Sequence, residues 1–493
     1  MGPNVKADGR LGRTGAVNLR YSASMQGSNP ESPLRAAVTW LIVLVGVVVM
    51  INLDGWLSEA APPEPSAAAG ARVATTTEMV GKLSLGAFGL MPSGSQEMKG
   101  LLGSVQDGSF IGDAAAAAMA LRMGEQADAR RLLGEAEHRS SPAPDDLELV
   151  RALRVAIDAG SREPPREGER SSGLSESEQT TLRDRLGWFG EQVIWAAENP
   201  GSSDVPRELT LRAMGLVGFG LAGILGGIIG LGWLIALLIL AYTGRVQSAL
   251  RPPPRASALL LELFAAWIVI HIAVAVGASL LVPRDERLGG GFSLVLTLLA
   301  ATLPITGLVW VRLRRENWGE IRRELGINAP ASWPREIGIG FLTWLSGIPL
   351  LGIGLLLSFI LGALLGTSPS EASHPVQEAI AEGSAVQRLV LLFLAAGVAP
   401  IIEEIFFRGA LYGHLRAVSN RWGLVGSIVV SAVVSSSIFA MIHPQGITFA
   451  PVLAGLAIAF CLAREWRGSL VAPMAAHAMN NATIVTLNIF LFS

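Results

Sequence analysis

Residues 386–411 read VQRLVLLFLAAGVAPIIEEIFFRGAL, an apolar stretch long enough to cross a lipid bilayer as a helix. Three ionisable residues, Glu403, Glu404 and Arg408, interrupt its second half. Ionisable side chains at bilayer depth are energetically expensive unless they are paired or solvated. The stretch therefore predicts a membrane-spanning helix that carries a polar site.

The composition of the whole chain indicates the same class of protein. Its 493 residues are 51% hydrophobic and only 16% charged, and the mean hydropathy is +0.46. These values are typical of a polytopic membrane protein. The formal net charge of −2 argues against nucleic acid as a partner. Cys461 is the single cysteine, so we expect no intrachain disulfide and no cysteine-rich metal site.

Apolar stretches of span length recur along the chain, and we predict an all-α, polytopic transmembrane helix bundle with about nine spans, eight of them in the C-terminal part. The stretches are 36–53, 213–243, 257–282, 292–311, 337–366, 386–411, 424–443, 447–463 and 469–491. We interpret the first as an uncleaved anchor, because the largely polar segment before it is long for a signal peptide.

Arginine residues mark every second connection between these spans, as expected for short cytoplasmic loops. They precede the anchor and follow the second, fourth, sixth and eighth spans. This pattern predicts a cytoplasmic N-terminus and places Ser493 on the opposite side. Lysine is rare beside arginine, which hints at a GC-rich genome, and we predict the bacterial inner membrane as the location.

We divide the chain into five parts. They are a cytoplasmic tail (1–35), the anchor (36–53), an inserted extracytoplasmic helical segment (54–212), accessory spans (213–334) and a C-terminal membrane domain (335–493). In the extracytoplasmic segment, apolar residues at helical spacing predict one or more helical hairpins, which could recruit a protein partner. A tetratricopeptide repeat is not supported, because no second copy at a fixed period is visible in this segment.

The spacing of the charged residues within the sixth span predicts different partners for the two glutamates. Glu404 and Arg408 are four positions apart, so they share one helical face and can pair. Glu403 is turned about 100° away, and one arginine cannot neutralise both carboxylates. A carboxylate without its own cation in a low-dielectric site is suited to act as a general base near neutral pH.

Two later spans carry further polar residues, namely His443 in one and His477 with Asn481 in the other. Taken singly, each could be a structural hydrogen-bonding group. At about 1.5 Å of rise per residue, Glu403 lies roughly 24 Å from the cytoplasmic turns, His443 roughly 30 Å and Asn481 roughly 20 Å. A helix break at Pro444 and Gly446 would bring the three groups to similar depth.

These residues resemble the motifs of one family, the CAAX prenyl protease and bacteriocin-processing enzymes, also called the CPBP or Abi intramembrane proteases. Its three motifs occur in order: E-E-x-x-x-R at Glu403, Glu404 and Arg408, F-x-x-x-H at Phe439 and His443, and H-x-x-x-N at His477 and Asn481. The resemblance covers roughly residues 335–493.

The resemblance implies an intramembrane endopeptidase that acts on a membrane-associated peptide or protein. By it, Glu403 would activate water with help from His443, His477 and Asn481 would stabilise the oxyanion, and Glu404 with Arg408 would brace the site. The family has been described both as glutamate-type and as metalloproteases. A zinc ion held by Glu403, His443 and His477 is therefore the rival to direct water activation, although the chain has no H-E-x-x-H motif.

Other readings remain open at this stage. Glu262 and His271 in the third span could assist substrate access or proton movement, although hydrogen bonding to a neighbouring helix is the favoured explanation. His414 and Arg416 are expected to be cytoplasmic flank, and the Gly223, Gly227, Gly226 and Gly230 repeats are expected to pack helices. The alternative functions are a noncatalytic membrane scaffold or immunity-type peptide-binding protein, and a proton-coupled transporter.

Overall fold

The computed structural model describes the greater part of the chain. The described residues are 33–59, 75–90, 102–106, 109–139, 144–160, 173–202, 204–250, 257–281, 301–328, 332–366 and 383–492, with residues 100, 298, 299 and 380. The predicted cytoplasmic tail up to residue 32 lies outside them. Every regular element within these ranges is a helix, which confirms the all-α class.

The helices fall into two groups along the chain. The first group is α1 (Pro33–Glu59), α2 (Thr75–Phe88), α3 (Phe110–Arg122), α4 (Gln126–Arg139), α5 (Pro144–Gly160), α6 (Glu176–Leu186) and α7 (Trp188–Glu198). The second is α8 (Arg207–Tyr242), α9 (Ser257–Leu281), α10 (Val309–Leu313), α11 (Trp318–Leu325), α12 (Trp333–Leu365), α13 (Ala385–Phe393), α14 (Ala399–Glu404), α15 (Tyr412–Ser419), α16 (Gly423–Met441), α17 (Ala450–Arg467) and α18 (Val471–Phe492). Two π-helical turns, Leu394–Val398 and Ile405–Leu411, join α13, α14 and α15 into one run.

Five helical stretches in the described part of the chain are long and apolar enough to cross a membrane, which confirms a polytopic helical membrane protein. They are Pro33–Leu53, Arg207–Tyr242, Ala258–Ala278, Trp333–Leu365 and Ala385–Met441. The last contains two predicted spans, because the chain turns at Asn420–Trp422. The predicted span at 292–311 is described only in part, by a shorter apolar helix, so the total of nine spans stays a prediction.

Helix α3 is the centre of the helical domain between the first two spans. All 13 of its residues are buried, and its alanine run, Ala114–Ala118, has small side chains that let neighbouring helices approach. The Arg122 guanidinium lies 3.5 Å from the Trp195 ring centroid and donates to the Asp204 carbonyl. Burial lowers the pKa of Arg122 to about 10. The chain turns after α3 at Gly124, where φ is +83°, so α3 and α4 form the predicted kind of helical hairpin.

This domain is joined to the membrane bundle through the first turns of α8. Leu209 of α8 belongs to the hydrophobic core of the domain. Helix α2 packs there so closely that a Cβ atom on Gly86 would collide with the Leu209 carbonyl. The position of the domain therefore follows from the direction of α8.

Helix α12 packs along α8, α17 and α18, and small residues allow the close approach. A Cβ atom on Gly230 of α8 or on Gly354 of α12 would collide with the backbone of the facing helix. Gly226 and Gly227 also face Ile348 of α12, which confirms the predicted packing role of the glycine repeats. Gly223 is the exception, because its open side meets no neighbouring atom.

Two residues predicted to be cytoplasmic flank are buried instead. Arg416 is 1% exposed and donates two hydrogen bonds to the Glu465 carboxylate, at 2.9 and 3.0 Å. His414 is also buried and packs against Trp40, with ring centroids 5.5 Å apart. The expectation of a solvated flank was wrong because α17 and α1 supply partners that the local sequence does not reveal.

The contact between α8 and α12 generates a prediction. Gly230→Ala should destabilise the folded protein by about 1–3 kcal/mol, because the added methyl group meets the Leu345 backbone. Gly232→Ala is the matched control, since the same substitution two positions away meets no atom within 4 Å. Thermal unfolding of both variants in detergent is the measurement. Equal melting temperatures would contradict this account of the contact.

A second prediction concerns the connection before α12. Burial, together with the charges of Glu320 and Glu316, raises the pKa of Glu324 to about 7. The unfolded chain has a pKa of about 4.3 at this position, so the folded state binds more protons between these values. Folding stability should therefore fall as the pH rises from about 4 to 7, and this loss should persist above pH 7.

Glu324→Gln removes the titrating charge at this position. The variant should gain stability relative to wild type between pH 5 and pH 8, measured by chemical unfolding across that range. Glu176→Gln, at an exposed position of α6, is the control. A difference between Glu324→Gln and wild type that does not change with pH would refute the prediction.

Candidate active site

The six polar residues of the three motifs lie on three neighbouring parts of the bundle. Glu403 and Glu404 end α14, and Arg408 lies in the π-helical turn that follows. His443 lies just beyond the end of α16, whereas His477 and Asn481 lie on α18. The helix break predicted near Pro444 is confirmed, because α16 ends at Met441 and α17 begins at Ala450.

Glu404 is the centre of a buried charged cluster. Its Oε1 atom lies 2.9 Å from Nη1 of Arg408, as the spacing of four residues predicts, and 2.9 Å from Nδ1 of His477. Arg408 also donates to the Ala457 carbonyl at 3.3 Å. Glu404 and Arg408 are 0% and 1% exposed, so each is the main compensation for the other's charge.

Aromatic rings enclose this cluster. The Arg408 guanidinium lies 4.6 Å from the ring centroid of Phe439 and 5.2 Å from that of Phe460. The imidazole of His477 stacks on Phe460 at 5.2 Å and meets Phe439 edge-on. Phe439 of the F-x-x-x-H motif thus positions both the arginine and the imidazole, and the rings give the guanidinium cation–π stabilisation.

Glu403 points away from Arg408 and toward two imidazoles. Its Oε2 atom lies 3.7 Å from Nε2 of His477 and 4.0 Å from Nε2 of His443. This oxygen is buried and has no hydrogen-bond partner among the described residues. The side chain as a whole is 24% exposed, so part of the carboxyl group remains accessible.

The partners of the two histidines decide which ring nitrogens carry protons. Nδ1 of His443 lies 2.5 Å from the Phe439 carbonyl oxygen, and Nδ1 of His477 faces the Glu404 carboxylate. A carbonyl oxygen can only accept a hydrogen bond, and the same is true of the Glu404 carboxylate when it is ionised. Both Nδ1 atoms therefore donate. In the neutral form of each ring, Nε2 is then a lone-pair acceptor directed at Glu403. Three acceptors facing one another require a shared proton or a donor between them.

A zinc ion was the other candidate for this position. The donor types fit zinc, and the Nδ1 hydrogen bonds are of the kind that orient metal-binding histidines. The positions do not fit: within the described ranges, no three His, Cys, Asp or Glu side chains are arranged so that they could hold a metal ion.

The recorded hydrogen bonds of Asn481 are to residues outside the three motifs. Its Nδ2 atom donates to the Ala395 carbonyl at 2.9 Å, and its Oδ1 atom accepts from Asn480 at 3.3 Å. Ala395 lies in the π-helical turn before α14. Asn481 therefore ties α18 to the run that carries both glutamates, and its second N–H group remains for another acceptor.

The two weaker candidates of the third span have different surroundings. Glu262 binds Arg35 and accepts from the Trp310 indole at 3.0 Å, with Arg314 at 3.4 Å, so it joins α9 to α1 and α10. His271 lies one turn from Trp267 and interacts electrostatically with Glu403 and His443. The structure thus brings His271 near the cluster and leaves Glu262 in a separate ion-pair network.

Comparison with known proteins agrees with the motifs. Residues 385–483 match the family model described as type II CAAX prenyl endopeptidase Rce1-like. The chain is 32% identical over 98 residues to the membrane-embedded CAAX protease MroQ of Staphylococcus aureus (strain USA300). That match covers 20% of the chain and 38% of the relative's length. No solved structure matches. The resemblance is thereby confirmed for the segment that carries the motifs.

The geometry of the two glutamates generates a prediction about stability. Glu404→Gln should destabilise the fold by about 3 kcal/mol or more, because it leaves Arg408 buried without its counter-charge. Glu403→Gln should destabilise the fold less, since no guanidinium pairs with Glu403 and its side chain is 24% exposed. Melting temperatures of the two purified variants in the same detergent test the contrast. A larger loss for Glu403→Gln than for Glu404→Gln would contradict the assignment.

Proposed function

We propose that the protein is an intramembrane endopeptidase that hydrolyses a peptide bond of a membrane-associated peptide or protein. The observation that carries this proposal is the position of Glu403. Its buried Oε2 atom, which has no hydrogen-bond partner in the described part of the chain, faces the Nε2 atoms of two histidines inside an apolar bundle. A carboxylate and two imidazoles around one point are suited to take up, hold and return a proton.

Charge balance assigns the proton positions at the start of the reaction. Two carboxylates and one guanidinium leave a single negative charge, which is unfavourable in a low-dielectric site. A proton on Nε2 of His477 would neutralise the cluster, and Glu404 would stabilise the resulting imidazolium through Nδ1. His443 would remain neutral, with its Nε2 lone pair available to accept a hydrogen bond from a water molecule.

Hydrolysis then follows as a sequence of proton transfers. Glu403 removes a proton from a water molecule that His443 helps to orient, and the water oxygen attacks the scissile carbonyl carbon. The N–H groups of His477 and Asn481 donate to the oxyanion of the tetrahedral intermediate. Protonated Glu403 returns its proton to the leaving amine as the C–N bond breaks. Arg408 and Glu404 keep the imidazole of His477 in place throughout.

Substrate and cellular context complete the proposal. The site lies among membrane-spanning helices, so its substrate must reach it from the bilayer or from the membrane surface. A lipid-modified C-terminus is one such substrate, and an unmodified membrane-embedded peptide is another. The arginine distribution supports a cytoplasmic N-terminus. The location that we propose is the bacterial inner membrane. The extracytoplasmic helices are positioned to recruit a protein partner.

Glu403→Gln should abolish cleavage, because the amide cannot accept a proton from water. We expect cleavage of a library of membrane peptides by purified protein to fall by at least about a hundredfold. Glu262→Gln is the control, since it removes a buried carboxylate of the separate ion-pair network around Arg35. Wild type and both variants are also assayed with a metal chelator present, and their bound zinc is measured. Insensitivity to the chelator supports direct water activation.

Other outcomes would change the assignment. Chelator-sensitive cleavage together with stoichiometric zinc would replace direct water activation by a metalloprotease mechanism. Equal cleavage by wild type and Glu403→Gln, in an assay where Glu262→Gln is also active, would refute the catalytic role of Glu403. A wild type that binds library peptides without cutting them would favour the scaffold function.

A further inference from the structure

A second apolar site lies in the bundle away from the glutamates and histidines. A cavity of about 830 Å³ is bordered by α8, α12, α16 and α17, and none of the six motif residues lines it. Apolar side chains dominate its walls, among them Leu238, Val425 and Leu462. This volume lies within the range of about 300–1,000 Å³ that is usual for ligand sites.

The cavity opens toward the surrounding bilayer. Leu238 on one side and Val425 on the other both line it, and they are 60% and 73% exposed. They belong to two helices that are each part of a membrane-spanning stretch. The opening therefore faces hydrocarbon, and a crevice between such helices is accessible to a lipid chain without passage through water.

The depth of the cavity corresponds to part of one leaflet. Along α8 the lining extends from Leu234 to Tyr242, a distance of about 12 Å at 1.5 Å per residue. One leaflet contributes roughly half of a hydrocarbon thickness of about 30 Å. A single acyl chain can therefore lie along this wall with its headgroup near Tyr242.

The end of the cavity near Tyr242 has polar lining residues, and exposed arginines are close to it in the sequence. The lining Arg416 and Glu465 neutralise each other, so the interior carries no net charge from this pair. Arg245 and Arg421 are exposed and stand next to lining residues in the sequence. The arginine pattern predicts that this end is cytoplasmic, and exposed arginines at such a surface attract anionic headgroups.

We propose that this cavity binds an anionic phospholipid, with one acyl chain between α8 and α16 and the phosphate near Arg245 and Arg421. The site is separate from the proposed catalytic residues, so its existence does not depend on protease activity. The bound lipid would fill the crevice beside Trp466, which lines the cavity. The lipid would thereby stabilise the packing of α8 beside the C-terminal helices α16 and α17.

The test is a lipid titration of the full-length, delipidated protein in a maltoside detergent, followed by native mass spectrometry. The probes are dioleoyl phosphatidylglycerol and dioleoyl phosphatidylcholine. Wild type should retain one phosphatidylglycerol molecule about tenfold more tightly than phosphatidylcholine, because two arginines contribute to headgroup binding. Equal retention of the two lipids would overturn the proposed headgroup site.

Substitutions separate this site from the general lipid belt. Leu238→Trp and Val425→Trp, made singly and together, should each weaken retention of phosphatidylglycerol by filling the crevice. Leu221→Trp is the control, because Leu221 is 63% exposed on the same helix and does not line the cavity. Retention by the crevice variants that equals retention by Leu221→Trp would place the lipid elsewhere and refute the proposal.

The headgroup contacts have their own variants. Arg245→Gln with Arg421→Gln should reduce phosphatidylglycerol binding to the phosphatidylcholine level and leave phosphatidylcholine binding unchanged. These exposed positions can be changed without altering the helix packing, so the test remains decisive if a tryptophan variant fails to fold. An undiminished preference for phosphatidylglycerol in this double variant would refute the role of the two arginines.

Discussion

The ion pair between Arg408 and Glu404 constrains the geometry of the whole cluster, because neither charge could remain alone inside an apolar bundle. The same Glu404 oxygen holds the imidazole of His477, and the rings of Phe439 and Phe460 enclose the guanidinium. With Oε1 of Glu404 held by Arg408 and His477, Glu403 is the carboxylate that faces the Nε2 atoms of both histidines. The two adjacent glutamates thus have different partners because only Glu404 shares a helical face with the arginine.

Backbone irregularities bring the other groups to this pair. A π-helical turn directly follows Glu404, and a second one lies before α14, where Asn481 binds the Ala395 carbonyl. The break between α16 and α17 ends the helix just before His443, so its side chain can turn toward Glu403. Turns of this kind are frequent at functional sites, because they redirect side chains that a regular helix would point elsewhere.

Helix α8 connects three regions of the molecule that the chain otherwise separates widely. Its first turns belong to the core of the helical domain between the first two spans, its glycines pack against α12, and its last turns border the cavity beside α16 and α17. The segment matched by known proteins begins only at residue 385. Of the helices before that segment, α9 brings His271 near Glu403, whereas the motif residues and the enclosing rings of Phe439 and Phe460 come from the last quarter of the chain.

Hydropathy, helical spacing and short motifs are local properties of the chain, so the sequence was enough to predict the helical membrane class, the pairing of Glu404 with Arg408 and the motif resemblance. The three-dimensional packing added that Glu262 joins α9 to α1, that Arg416 is buried against Glu465, and that His271 lies near Glu403. The same is true of the bond from Asn481 to Ala395 and of the cavity beside α8. These features depend on how helices far apart in sequence approach one another, and local patterns of polarity do not specify which faces meet.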